Sequence, residues 1–142
     1  MLFEKEKSAG YLVNHMARLF AHRLHERIAP LGIVPGQFPA LLALWEKDGV
    51  TQKELVARLD IEQATMANTL TRMERDGLIR RTRHPADARA QQIWLTAKAK
   101  RIRDSAYEAA NAVNARALAD LRPEEHALFI DCMDRIIASL RD

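Results

Sequence analysis

Residues 51–95, TQKELVARLDIEQATMANTLTRMERDGLIRRTRHPADARAQQIWL, decide the fold. Thr51-Gln-Lys-Glu54 is a capping box: the Thr51 hydroxyl can accept from the Glu54 amide, and the Glu54 carboxylate can reach back. It opens a short helix with Leu55, Val56 and Leu59 inside. After Asp60-Ile61 a second helix runs from Glu62 to Asp76, and Gly77 stands where a left-handed cap is wanted. Leu78–Arg83 and Gln91–Leu95 read as two short strands, joined by a polar tip over 84–90 that carries Pro85. Two short helices, a tight turn and a basic hairpin make a winged helix-turn-helix, whose second helix can enter a major groove.

The spacing also sorts the faces of that second helix. Met66, Leu70 and Met73 fall on one side and pack inward; Thr65, Asn68, Thr71, Arg72 and Arg75 fall on the other, with Gln63 and Thr69 at its flanks. Amide, hydroxyl and guanidinium groups are the chemistry that reads base edges and phosphates. Thr51 and Gln52 at the start of the first short helix, with Arg81 and Arg83 on the hairpin, complete the candidate double-stranded DNA contacts of this reading. Charge follows the motif. The chain carries a net +3, yet residues 1–71 are neutral, 72–103 hold a surplus of +7, and 104–142 are at −4. A positive surface confined to one short segment suits a polyanionic partner.

Outward from the motif the chain is helical. Val13, Met16, Phe20, Leu24 and Ile28 form one stripe that ends at Pro30 and Gly32, and a second helix is expected from Pro35 through Trp45 to Asp48-Gly49. From Thr96 onward the pattern is helical again and Ala-rich over 104–120, with a last helix opened by Pro123 that has Phe129, Cys132, Met133, Ile136 and Leu140 on one side. The expected architecture is a single domain over 1–142, mainly α with a small β-hairpin wing. A winged helix-turn-helix core over 31–96 is flanked by helices in 1–30 and 97–142. The broad apolar faces of the first and last helices predict a homodimer.

Several function classes find no support. The single Cys132 excludes an internal disulfide framework, and without a secretory leader the expected setting is the cytoplasm. The uncharged stretch Leu31 to Trp45 is broken by Pro35 and Pro39 and is too short to span a membrane. No Gly-rich phosphate loop or nucleophile–base grouping points to an enzyme, and no cofactor is expected. His22, His25 and Glu26 on the first helix keep a metal-responsive role as an alternative, although their spacing matches no hydrolytic zinc signature.

Leu31-Gly-Ile-Val-Pro-Gly-Gln-Phe38, Thr51-Gln-Lys-Glu-Leu55, Ile61-Glu-Gln-Ala-Thr-Met-Ala-Asn68, Arg72-Met-Glu-Arg-Asp-Gly-Leu-Ile79 and Trp94-Leu-Thr96 resemble the MarR family of regulators, in order and at the right distances. The resemblance implies a triangular homodimer with interlocking terminal helices, its recognition helices in successive major grooves of a pseudo-palindromic site. In the wing, Asp87 and Arg89 match the family signature, in which the arginine enters the minor groove and the aspartate steadies the wing. It further implies a sequence-specific transcriptional regulator, a repressor released by a small aromatic or acidic effector. A non-regulatory architectural DNA-binding protein is the alternative. Tyr11, His15, Arg18, Phe38 and Trp45 are the effector-site candidates, being aromatic or cationic near the expected junction of terminal helices and core. Three positions depart from the family pattern: Asp60 in the turn where Gly is common, Val34 where a capping Ser or Thr is usual, and His84 at the base of the wing.

Overall fold

The computed structural model describes residues 1–141. Its elements are α1 (Ala9–Ile28), α2 (Phe38–Glu46), β1 (Val50–Thr51), α3 (Gln52–Leu59), α4 (Gln63–Arg75), β2 (Ile79–Arg83), β3 (Gln91–Leu95), α5 (Ala97–Ala117) and α6 (Pro123–Leu140). The fold is mainly helical with one small antiparallel sheet, ordered β1-β3-β2. Ile33, Leu41, Leu44, Leu55, Met66, Leu70, Met73, Leu78 and Ile93 are all but fully buried and draw α2, α3, α4 and the hairpin around one core. Each such side chain contributes about 1.5–3 kcal/mol of burial, an upper figure because the unfolded chain is itself partly compact.

Local chemistry sets the boundaries. The helix expected from Pro35 begins instead with a 3-10 turn over Pro35–Gln37, and α2 proper starts at Phe38. Pro39 has no amide to donate to the Pro35 carbonyl, so the first α-type bond there cannot form. Val34 offers no side-chain cap; the Gln37 amide oxygen instead accepts from the Val34 N–H at 3.2 Å. The Thr51 hydroxyl accepts from the Glu54 N–H at 3.2 Å and donates to the Glu54 carboxylate at 3.3 Å, which realises the expected box with the return bond on the hydroxyl. Asp60 is the single described non-glycine residue at positive φ, 55°, and closes α3 as a left-handed cap. Thr96 caps α5 by accepting from the Ala99 N–H and ties it to the hairpin by donating to the Gly77 carbonyl at 2.6 Å.

The hairpin gains a strand that the sequence reading lacks. Val50 pairs with Ile93 and Thr51 with Gln92, so β1 makes β3 the central strand. The outer helices are less well covered. Ile28 of α1 and Ala106, Ala109 and Val113 of α5 are buried, whereas α6 buries no residue. Val13 and Leu19 on α1 and Leu128, Ile136, Ile137 and Leu140 on α6 are all at least half exposed. Among the described residues, no single helix is long and apolar enough to cross a membrane.

Candidate nucleic-acid interface

Helix α4 presents two faces, as its spacing predicts. Met66, Leu70 and Met73 are fully buried, while Gln63, Thr65, Asn68, Thr71, Arg72 and Arg75 are exposed and Thr69 is half-buried. Among the described residues, no side-chain hydrogen bond or ion pair engages Thr65, Asn68 or Arg72, so their polar groups are free to meet a duplex. Other members of the row have work within the protein. Thr71 donates to the Ala67 carbonyl at 3.0 Å, a local bond that leaves its hydroxyl less free than its exposure suggests. Gln52 donates to the Gln63 side chain at 3.2 Å and joins the starts of α3 and α4.

Arg75 is committed to the end of its own helix. Its Nε donates to Asp76 Oδ1 at 3.0 Å, and Gln37 donates to Asp76 Oδ2 at 2.9 Å. The Arg75 guanidinium and the Gln37 amide hold the Asp76 carboxyl below its usual range, against the opposing effect of burial. Lys98 of α5 donates to the Asp76 carbonyl at 2.9 Å. One residue thus ties the end of α4 to the segment before α2 and to the first turn of α5. Gln37, buried and polar, was not among the residues singled out from the sequence; its place three residues after the uncapped Val34 was the available signal.

The wing is closed by short-range bonds. Asp87 Oδ1 accepts from the Arg89 N–H at 3.0 Å and lies 3.7 Å from the Arg89 guanidinium, whose side chain is 95% exposed. His84 accepts at Nδ1 from the Ala86 N–H at 3.0 Å, so the residue in the family's acidic position still supplies an acceptor to the wing. Trp94 donates to the Thr82 hydroxyl at 2.8 Å and carries the Arg80 guanidinium 5.8 Å over its ring. A cleft of about 650 Å³ separates this hairpin from the start of α3, with Gln52, Lys53, His84 and Arg89 in its walls.

Arg83 is exposed, whereas Arg81, in the wall of that cleft, is half-buried. Its side chain is 18% exposed, with Nε 3.7 Å from Glu74 Oε1 and Nη2 donating to the Thr71 hydroxyl at 3.4 Å. Nε is buried without a hydrogen-bond partner. The register explains the direction: Arg81 lies opposite Ile93, on the face that also carries Ile79 and Leu95, so it points at α4.

A separate apolar cavity of about 570 Å³ lies where α1, α2 and α5 meet. Phe20, Leu24, Phe38, Leu42 and Val113 line it, together with the ion pair between Arg58 and Glu46 at 3.4 Å. Of the five effector candidates, Phe38 faces this cavity. Trp45 is core: 8% exposed, it donates to the Ala99 carbonyl at 3.0 Å and packs edge-on against Phe38 and Tyr107. Tyr11 and His15 pack edge-to-face on exposed α1, and Arg18 is exposed on the same helix, all outside the cavity. Glu26 is held by Arg23 at 3.1 Å with His22 4.0 Å away; among the described residues no three potential metal ligands gather.

Comparison with known proteins agrees with this arrangement. The MarR family model matches residues 33–90. The transcriptional regulator HosA of Escherichia coli O111:H- is 32% identical over 123 residues, 87% of this chain and 86% of its own. The organic hydroperoxide resistance transcriptional regulator of Bacillus subtilis is 30% identical over 103 residues, covering 72% and 70%. Among solved structures, a MarR family regulator of Listeria monocytogenes complexed with 26mer DNA superposes with a TM-score of 0.86 at 21% identity, covering 94% of this chain and 89% of that one. A MarR regulator of Methanosarcina mazei Go1 gives 0.85 at 23%, covering 92% and 94%. At these identities the structural likeness speaks to the fold, and the sequence relatives speak to the family. With the winged helix-turn-helix, its polar outer row and these relatives in agreement, the chain belongs to the MarR family of DNA-binding transcriptional regulators.

Proposed function

We propose that the protein is a homodimeric cytoplasmic repressor that occupies a pseudo-palindromic operator and leaves it when a small aromatic or acidic ligand binds. The observation that carries the DNA reading is the uncommitted row Thr65, Asn68 and Arg72 on α4, flanked by the exposed Arg89. Thr69, Arg83 and Gln63 extend this surface. The residues that hold the motif in shape are Thr51, Gln52, Asp87 and, at the end of α4, Arg75. The uncovered apolar side chains of α1 and α6 support a dimer built from residues 1–30 and 97–142, since so much exposed apolar surface favours a partner. Two-fold symmetry then places half-sites about 10 bp apart.

The cavity between α1, α2 and α5 supports an effector site, because it touches both the dimerising helices and the winged core. Its apolar walls suit an aromatic ring, and Arg58 offers a carboxylate a partner in place of Glu46. A ligand so bound would pull the start of the helix-turn-helix toward the dimer arms. A coupling of about 1–3 kcal/mol would weaken operator binding about 5- to 150-fold. Selection of bound sequences from random duplex DNA, with and without aromatic acids, tests the whole reading. A palindromic consensus whose recovery drops with a ligand is the expected result. Recovery of sequences without a consensus would favour the architectural alternative, and recovery indifferent to every acid would remove the effector.

A further inference from the structure

The end of helix α6 and the residue after it reach the helix-turn-helix. Arg141, the residue that follows α6, donates from Nε to Asp60 Oδ2 at 2.6 Å and from Nη2 to the Arg58 carbonyl at 3.0 Å. Both acceptors belong to the end of α3. The Arg58 carbonyl is one of the last-turn oxygens with no intrahelical donor, and Asp60 is the left-handed residue that turns the chain toward α4. A guanidinium there also opposes the negative end of the α3 dipole. Ile137 and Leu140 of α6 share a cleft of about 600 Å³ with Ala57 and Asp60, so the contact has an apolar flank.

We propose that Arg141 is a positioning residue for DNA binding: it clasps the turn between α3 and α4 and fixes the angle of the recognition helix against α6. The proposal rests on the dimer reading above, in which α6 is an arm between protomers. An exposed ion pair adds little to global stability, so the expected role is orientation. The turn is short, and α4 begins at Gln63, three residues after Asp60. A tilt of the turn therefore passes directly into the helix that carries Thr65, Asn68 and Arg72. The planar fork of arginine serves two acceptors at fixed angles, which a lysine ammonium does not reproduce.

The test combines Arg141→Ala with Asp60→Asn, which removes the charge but keeps a residue that tolerates left-handed backbone. In a Cys132→Ala background, a spin label on exposed Ala64→Cys reports the spacing of the two α4 helices. Light scattering reports mass, and titration of a selected palindromic duplex reports affinity. Each single variant is expected to remain dimeric, to broaden the spacing distribution and to bind the duplex about two- to five-fold more weakly, with no further loss in the double variant. Arg141→Lys should fall between wild type and Arg141→Ala. A dimeric Arg141→Ala with unchanged spacing and affinity would overturn the clasp. So would fully additive losses, or a lowered melting temperature with unchanged spacing. A monomeric wild type would instead overturn the dimer reading, and the proposal with it.

Discussion

The Arg89 side chain stands 95% exposed at the wing while that of Arg81, on the same hairpin, is 18% exposed and turned onto α4. Equal charges therefore serve different ends. Arg89→Ala should weaken binding to a selected duplex by about 1–3 kcal/mol in a fluorescence anisotropy titration, with the mass of the protein unchanged. Arg81→Ala should lower the melting temperature, because it removes the link from β2 to Glu74 and Thr71. The slope of log affinity against log salt should stay as in wild type, whereas loss of a phosphate contact would reduce that slope by about one. On α4, Asn68→Ala and Arg72→Ala should change the ranking of duplexes altered at single base pairs. A uniform loss across those duplexes would make them backbone contacts. Asp87 and Arg89 were legible because a family signature marks them. Arg81, expected among the DNA contacts, is the half-buried member of that set, and strand alternation bears on it: Ile79 points inward, and Arg81, two residues on, points the same way.

At the scale of elements, the helices and the two hairpin strands were readable and the two-residue strand β1 was not. The stripe of Met66, Leu70 and Met73 defines α4 within a residue of its observed ends, since three buried side chains at helical spacing leave little freedom. Strand β1 escaped because two residues carry no period; it exists by pairing with β3. Gly49 is the sign of it in retrospect. At φ +77° it donates to the Ile93 carbonyl at 2.7 Å, and a Cβ there would lie 2.6 Å from the Trp94 ring. Gly49→Ala should destabilise the fold by about 1–3 kcal/mol from the backbone conformation alone, with more from the displaced indole, as read by denaturant unfolding. Asp76 gives a pH test at the end of α4. Its carboxyl titrates lower in the fold than in the unfolded chain, so its stabilisation is complete above the ordinary value of 3.8 and is lost as pH falls below it. The melting-temperature gap between wild type and Asp76→Asn should therefore be constant near neutrality and shrink below pH 3.8.

Across the whole molecule, the surplus of +7 over residues 72–103 coincides with the end of α4, the hairpin and the first turns of α5. Charge and motif together made the DNA-binding core legible. The cavity proposed for an effector was not, because α1, α2 and α5 meet in space and not in sequence; of the five candidates chosen near the expected junction, Phe38 alone faces it. Arg141 was equally hidden, lying 81 positions from Asp60. On the proposed function, this surface reads sequence. An equilibrium titration of a selected palindromic duplex against its scrambled counterpart, at physiological salt, tests it most directly. The account predicts binding to the palindrome at least about 10³-fold tighter. Equal affinity for the two duplexes would contradict it.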